Sequence, residues 1–276
     1  MTKRLFLFSM FGIMAIFTSC SSMYIPSMGI APLLKDQGEV VGEANFSTNA
    51  LQLGGSYAIT NHIAGMSNMN FSYGNFSNHY DIYTSKDKDS SALADLTYFG
   101  KFNNHYYEAG VGYYDMFNKE HFKMEAFGGV GFSHATDKDD SNNKDMQTYD
   151  SKYVSIFGQV NAGYVSKYCD FGLALRFVPS FHTYYWTNEI FSTSTKTFGT
   201  EEFSMMHIEP LLFLRVGSPT VKFVAKAGFS VPFYSAAYED ARENNIPNSD
   251  YMGSTIMHFS MGVNVTIPTN NNNIKQ

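Results

Sequence analysis

The chain has 276 residues and a formal net charge of −6, a balance that argues against nucleic acid as a partner. Its two cysteines are too few for a disulfide-stapled scaffold. Aromatic residues are abundant, with 25 Phe and 19 Tyr, and 22 Gly stand against 8 Pro. This composition predicts an all-β chain, either a soluble domain or a membrane barrel in which alternation dilutes the apolar residues.

The first element along the chain is a secretion signal of the lipoprotein type. Lys3 and Arg4 precede an apolar stretch at 5–17, and small residues then lead to Cys20. As a helix this stretch rises only about 20 Å, which is short of the roughly 30 Å hydrocarbon core and argues against a transmembrane anchor. The sequence therefore predicts a signal peptide over residues 1–19 and a covalent lipid on Cys20.

The two ends of the mature chain are predicted to lie outside the folded domain. Residues 20–38 contain Pro26, Pro32 and Gly38, and we expect them to form a lipidated tether to the first strand. Residues 268–276 include four consecutive asparagines and are expected to form a disordered polar tail.

Long stretches of alternating apolar and polar residues predict β-strands between these ends. The predicted strands exceed the usual length of about five or six residues, and a tilted strand needs roughly 9 to 11 residues to cross a bilayer. We therefore predict an all-β fold, an antiparallel up-and-down transmembrane β-barrel over 39–267. Its ten strands are expected at 39–48, 50–60, 62–76, 102–117, 121–134, 151–166, 169–182, 203–216, 220–233 and 253–267.

The connections between strands support an even strand number. Short turns alternate with long polar stretches at 77–101, 135–150, 183–202 and 234–252. Outer-membrane barrels have short periplasmic turns and longer outer loops. Ten strands return both barrel ends to the periplasmic side, where the lipid on Cys20 is expected to insert. Residues 92–99 resemble a strand within a predicted loop, so twelve strands, or eight, stay as alternatives.

The strand faces opposite the apolar set predict a polar lumen. Charges inside a narrow barrel must be paired and hydrogen-bonded, so the near balance of signs there predicts an internal salt-bridge network. Inward-facing Phe127, Tyr153 and Phe157 would fill further space, which favours a plugged lumen over an open pore. The expected members of the network are Glu43, Glu108, Lys123, Glu125, Arg176, His207, Glu209, Lys222, Lys226 and His258.

Two sets of these lumen residues suggest more specific functional sites. His207 and Glu209 share one strand face and, together with His258, could bind a metal ion. Glu108 and Glu125 lie on adjacent predicted strands and could share a proton. Membership of the charge network is the simpler interpretation of all five residues, and neither a metal nor a cofactor is expected.

Sequence motifs give no support for an enzyme. The chain contains no G-x-S-x-G, no H-E-x-x-H and no phosphate-binding glycine loop, so no catalytic residue is predicted. The alternative is a protease or other hydrolase at the outer rim, for which the candidate residues are His79, Asp81, His134 and His182. Cys169 is expected to be a structural residue beside a turn.

A resemblance to a known family lies in eight stretches: 19–26, 32–34, 38–39, 56–62, 108–114, 125–131, 166–168 and 173–177. Together they resemble the outer-membrane β-barrel lipoproteins of Bacteroidota. The resemblance implies the barrel and the lipid anchor but no activity. Because the residues from Ser21 to Leu34 include no acidic side chain, it also implies a lipid that faces the periplasm.

These observations together predict a lipid-anchored protein of the bacterial outer membrane with a structural or surface-interaction role. Its expected partners are outer-membrane lipid, the covalent lipid on Cys20, and a small solute or surface partner at the outer loops. One alternative is a narrow porin-like channel for small solutes. The other is a soluble, ligand-binding β-sandwich lipoprotein.

Overall fold

A computed structural model describes residues 24, 26–47, 50–74, 100–114, 121–142, 145–190, 195–234 and 256–268. The signal peptide, Cys20, residues 92–99 and the tail after residue 268 lie outside these residues. Within them, no helix is long and apolar enough to cross a membrane. The described strands are β1 (Val40–Phe46), β2 (Ala50–Ala58), β3 (Ile63–Gly74), β4 (Gly100–Tyr113), β5 (Phe122–Asn142), β6 (Asp145–Val165), β7 (Cys169–Ile190), β8 (Thr195–Gly217), β9 (Val221–Tyr234) and β10 (Ile256–Ile267).

The ten strands form one closed antiparallel barrel. Each strand pairs with its neighbours in sequence, and β1 pairs with β10 from Val40↔Ile267 to Phe46↔Met261. The predicted up-and-down barrel of ten strands is confirmed. Because the described strands already complete the ring, the alternatives with eight or twelve strands and the β-sandwich are wrong.

Four neighbouring strands are much longer than predicted. β5 to β8 have 21 to 23 residues each, and their pairing continues through Lys138↔Thr148 and Tyr185↔Thr200. Much of the predicted loops at 135–150 and 183–202 is therefore strand. Aromatic residues such as Tyr149, Tyr184 and Phe203 explain the extension, because aromatic residues stabilise cross-strand pairs.

An apolar belt surrounds the outside of the barrel and defines two margins. On β7, for example, the outward residues from Phe171 to Phe181 are apolar, and the next outward residue is the exposed Thr183. On β8 the apolar outward residues run from Met206 to Val216, and Ser204 follows. These spans of about 11 residues match the roughly 9 to 11 that a tilted strand needs to cross a bilayer.

The connections distinguish the two ends of the barrel. Short turns at 59–62, 166–168 and 218–220 lie at the end where β1 begins and β10 finishes. The β5–β6 and β7–β8 hairpins extend past the belt at the opposite end. Following the pattern of outer-membrane barrels, we call the first the periplasmic end and the second the outer end.

A stretch of chain before β1 lies inside the barrel. Tyr24 and all of residues 26–34 are buried, and together they form what we call the lumen segment. Gly38, at a positive φ of 82°, then turns the chain into β1, and its amide donates to the carbonyl of Ala58 (2.8 Å). Within the stretch 20–38, for which the sequence predicts a tether, Tyr24 and residues 26–34 are buried because the barrel interior provides hydrogen bonds and apolar contacts for them.

Candidate functional site: the lumen and its N-terminal segment

Arg176 lies at the centre of the lumen and joins two strands to the lumen segment. Its guanidinium Nη2 lies 2.6 Å from Glu108 Oε2, and its Nε lies 3.7 Å from Glu209 Oε2. Nη1 donates to the backbone carbonyl of Ser27 at 2.6 Å. Arg176 is 1% exposed, so these charged contacts form with almost no access to solvent.

Glu108 is the most heavily hydrogen-bonded carboxylate of this group. Besides Arg176, three neutral groups donate to it: Asn68 Nδ2 at 2.6 Å, Tyr106 OH at 2.7 Å and Ser27 Oγ at 3.2 Å. One of these donors, Ser27, belongs to the lumen segment. The segment thus helps to satisfy the buried charge pair on the wall.

A second charge cluster surrounds Glu43 nearer the periplasmic end. Glu43 pairs with Lys226 and, at 3.1 Å, with Arg215. Both cations also donate to backbone carbonyls of the lumen segment. Arg215 Nη2 reaches Ala31 at 2.6 Å, and Lys226 Nζ reaches Met28 at 3.2 Å and Gly29 at 3.1 Å.

Amide and carboxylate groups extend this pattern. Glu125 accepts from the backbone N–H of Leu34 at 2.6 Å and from Asn161 Nδ2 at 3.1 Å. Gln159 Nε2 donates to the carbonyl of Ile30 at 2.7 Å, and Gln52 Nε2 donates to the carbonyl of Met28. The wall therefore binds the segment mainly through its backbone.

Glycines in the wall leave room for the apolar side chains of the segment. A Cβ atom at Gly54 would collide with Ile30 Cγ2, and one at Gly163 would lie 2.7 Å from Leu33 Cδ1. Conversely, a Cβ at Gly29 of the segment would lie 2.6 Å from Gln159 Oε1 and 2.9 Å from Arg176 Nη1. The segment and the wall are complementary in shape as well as in hydrogen bonding.

Tyr24 occupies the end of the segment nearest the outer end of the barrel. Its ring stacks on His207 with centroids 3.7 Å apart and an angle of 4° between the planes. Its hydroxyl donates to Glu209 Oε1 at 2.7 Å. Tyr153 and His182 surround the same ring, with centroids at 5.5 Å and 6.5 Å.

The predicted lumen residues separate into distinct groups. Glu43 with Lys226, and Glu108 with Arg176 and Glu209, form the two clusters around the segment, whereas Glu125 binds Leu34. Lys222 forms a separate pair with Asp170 at 2.6 Å, beside the turn at Ser166. Lys123 is buried at the periplasmic end of β5, and His207 stacks on Tyr24.

The network predicted from the sequence lacks two charged residues, and the sequence did not predict that the lumen segment fills the barrel. Arg215 and Asp170 were absent from the predicted network, although parity with His207 and Arg176 on their strands would have placed both side chains inward. The lumen segment itself has no such local signal. Its residues are buried because the surrounding barrel wall donates hydrogen bonds to their backbone carbonyls.

The described residues do not bring together the metal site at His207, Glu209 and His258 or the carboxylate pair of Glu108 and Glu125. His258 is half-buried beside Gly228, and among the described residues neither of its ring nitrogens has a hydrogen-bond partner. Within the described part of the chain, no three His, Cys, Asp or Glu side chains are grouped as metal ligands. Glu108 and Glu125 each have their own partners and share no contact.

The candidate rim residues lie on different faces of the barrel. His134 points outward and contacts Asp150 at 3.0 Å, whereas His182 points inward and accepts or donates a hydrogen bond at Ser180 Oγ, 2.9 Å away. His79 and Asp81 lie outside the described residues. The described residues therefore show no rim site that combines His134 and His182.

Comparisons with known proteins give structural neighbours but no close relative. No protein-family model and no curated protein matches the chain. A major outer membrane protein from Thermus thermophilus is 13% identical, with 83% of this chain and 99% of that chain covered and a TM-score of 0.42. The outer membrane protease OmpT from Escherichia coli is 9% identical, with 83% and 92% covered and a TM-score of 0.47.

The resemblance to Bacteroidota lipoproteins stays a prediction. The fold is identified from the geometry of the barrel itself. Closure of the strand ring allows the backbone N–H and C=O groups to be hydrogen-bonded within a bilayer, and the apolar belt faces outward while the polar side chains face inward. This chain is a β-barrel of the outer-membrane type.

Proposed function

We propose that this protein is a lipid-anchored outer-membrane barrel whose lumen is closed by its own N-terminal segment, and that its role is structural or surface-interacting. One observation carries the closed lumen. Backbone carbonyls from Ser27 to Ala31 accept hydrogen bonds from inward side chains of five strands: Gln52, Gln159, Arg176, Arg215 and Lys226.

The energetics of the two charge clusters favour a closed state. Removing the segment would take Ser27 and Ala31 away from Arg176 and Arg215, and buried charges that lose hydrogen bonds are costly. A barrel of eight strands is about filled by its own side chains, and the diameter grows with strand number, so ten strands leave a limited space that the buried lumen segment occupies. A solute pathway would therefore require displacement of the segment.

The outer end supports the proposed surface role. The β5–β6 and β7–β8 hairpins continue well past the apolar belt and carry an inward aromatic cluster of Tyr149, Tyr184 and Phe203 with Trp186 packed against it. Such an extension projects paired strands beyond the membrane surface. The proposed partner binds at this projection rather than passing through the lumen.

Conductance in planar bilayers tests the closed lumen. We expect the full mature chain to be silent and a variant lacking residues 26–34 to give stable conductance steps. A variant lacking residues 269–276 serves as a control of similar deletion length and should stay silent. Heat-modifiable gel migration verifies that each variant is a folded barrel.

The porin-like alternative makes the opposite prediction. If the full chain gives conductance steps as large as those of the variant without residues 26–34, the segment does not close the lumen. The protein would then be assigned as a narrow channel for small solutes.

A further inference from the structure

The two ends of the lumen segment lie at opposite margins of the apolar belt. Leu34 binds Glu125, which is close to Phe122 at the periplasmic start of β5. Tyr24 stacks on His207, which is adjacent to Met206, the last outward apolar residue of β8 before Ser204. The segment thus enters at the periplasmic margin and reaches the outer margin.

Two further strands place Tyr24 at the same level. Its neighbour Tyr153 lies between the outward residues Lys152 and Val154, where the surface of β6 changes from charged to apolar. Its neighbour His182 follows Phe181, the last residue of the belt on β7. Residues on three adjacent strands, β6, β7 and β8, therefore place Tyr24 at the outer margin.

The contacts between these ends follow a regular order. Ala31 binds Arg215, near the periplasmic end of β8, whereas Ser27 binds Arg176, midway along the belt residues of β7. An extended chain rises at most about 3.3 to 3.6 Å per residue, so residues 24 to 34 span at most roughly 33 to 36 Å. The segment is shorter than this limit, because the Gly29 N–H donates to the carbonyl of Ser27 at 2.8 Å and Leu33 has a positive φ of 54°. The contacts at the two margins therefore support the crossing, and the chain length is compatible with a hydrocarbon core of about 30 Å.

We propose that the chain crosses the outer membrane through its own barrel, so that its mature N-terminus emerges at the outer end. Cys20 is four residues before Tyr24 and lies within about 14 Å of it along the chain. The lipid on Cys20, which rests on the anchoring proposed above, is then held at the outer surface of the membrane.

This topology reverses the expected position of the lipid. The sequence predicted a periplasmic lipid because ten strands return both ends of the barrel to the periplasmic side. That parity is correct for β1 and β10. The lumen segment adds a further crossing before β1, which moves the N-terminus to the opposite side.

Thiol labelling on intact cells tests the proposal. Three single substitutions, Ser22→Cys, Asp36→Cys and Thr197→Cys, are introduced into full-length Cys169→Ser protein and treated with a membrane-impermeant maleimide. Asp36 is exposed at the periplasmic end, and Thr197 is exposed on the outer β7–β8 hairpin. We expect Ser22→Cys to label on intact cells as Thr197→Cys does, and Asp36→Cys to label only after the outer membrane is permeabilised.

Either of two results would overturn the proposal: protection of Ser22→Cys until permeabilisation, or absence of its labelling under both conditions. The Cys169→Ser parent reports separately on anchoring, because a free Cys20 thiol would itself react. A short thiol cross-linker between Tyr24→Cys and His207→Cys separates the remaining cases. Cross-linking together with a protected Ser22→Cys would leave the closed lumen intact and reject only the outward N-terminus.

Discussion

Arg176 is the residue on which the organisation of the lumen depends most. It contacts Glu108, Glu209 and the carbonyl of Ser27, and its guanidinium lies 5.2 Å from the ring centroid of Phe157. Burial of a charge costs free energy that only close partners offset. Arg176 therefore links the strand wall to the lumen segment. Loss of its contacts with one of them should weaken its contacts with the other.

We expect Arg176→Met to lower the free energy of unfolding by about 3 to 5 kcal/mol, because it leaves Glu108 buried without its cation. Urea unfolding in detergent micelles, followed by heat-modifiable gel migration, measures the change. The double variant Arg176→Met with Glu108→Gln removes the closer charge pair but leaves Glu209 without its cation, so it should recover part of the stability. A double variant no more stable than the single one would contradict the charge-pair explanation.

At the scale of the element, each belt strand presents different chemistry on its two faces. On β8, Leu212 is 64% exposed on the outside, while Glu209 and Arg215 are buried inside. The continuous run of outward apolar residues ends at Met206, with Phe198 exposed farther along the strand, although pairing with β7 continues to Thr195. Strand length alone therefore does not define the membrane span, whereas the change in outward polarity does.

The substitution Leu212→Arg should cost about 2 to 4 kcal/mol, because it places a cation near the middle of the lipid-facing belt. Thr200→Arg is the matched control, since Thr200 is exposed on the same strand beyond the belt, and its effect should stay within about 0.5 kcal/mol. Unfolding in lipid vesicles compares the two variants. Equal effects would mean that the belt is misplaced on β8.

At the scale of the whole molecule, the barrel and the segment inside it form one unit. Closure between β1 and β10 leaves no free sheet edge, and the interior is occupied by a stretch of the same chain. The membrane anchor proposed at Cys20 is separate from the described barrel and is expected to contribute attachment rather than folding.

Replacement of the anchoring residue tests this separation. We expect Cys20→Ala to abolish incorporation of radiolabelled fatty acid while the barrel keeps its heat-modifiable migration, because the strand ring forms without the lipid. Wild-type protein and the Cys169→Ser variant should both incorporate label. Persistent labelling of Cys20→Ala would reject the lipoprotein signal.

The sequence by itself determined the strands, their faces and their even number. Alternation such as Phe171 to Phe177 is a local property, since successive side chains of a strand point to opposite faces. The same parity identified most inward charges, and it extends to Arg215 and Asp170. The signal before Cys20 is equally local and predicts the lipid attachment site.

Only the tertiary structure decided what fills the lumen and where the strands end. Ser27 and Arg176 are 149 residues apart in sequence, and Ala31 and Arg215 are 184 apart, so no local pattern relates them. The segment binds through backbone carbonyls, which every residue has, and its side chains fit beside Gly54 and Gly163 only after the barrel has closed. The strand extension past the belt likewise depends on pairing between partners, not on the polarity of either strand alone.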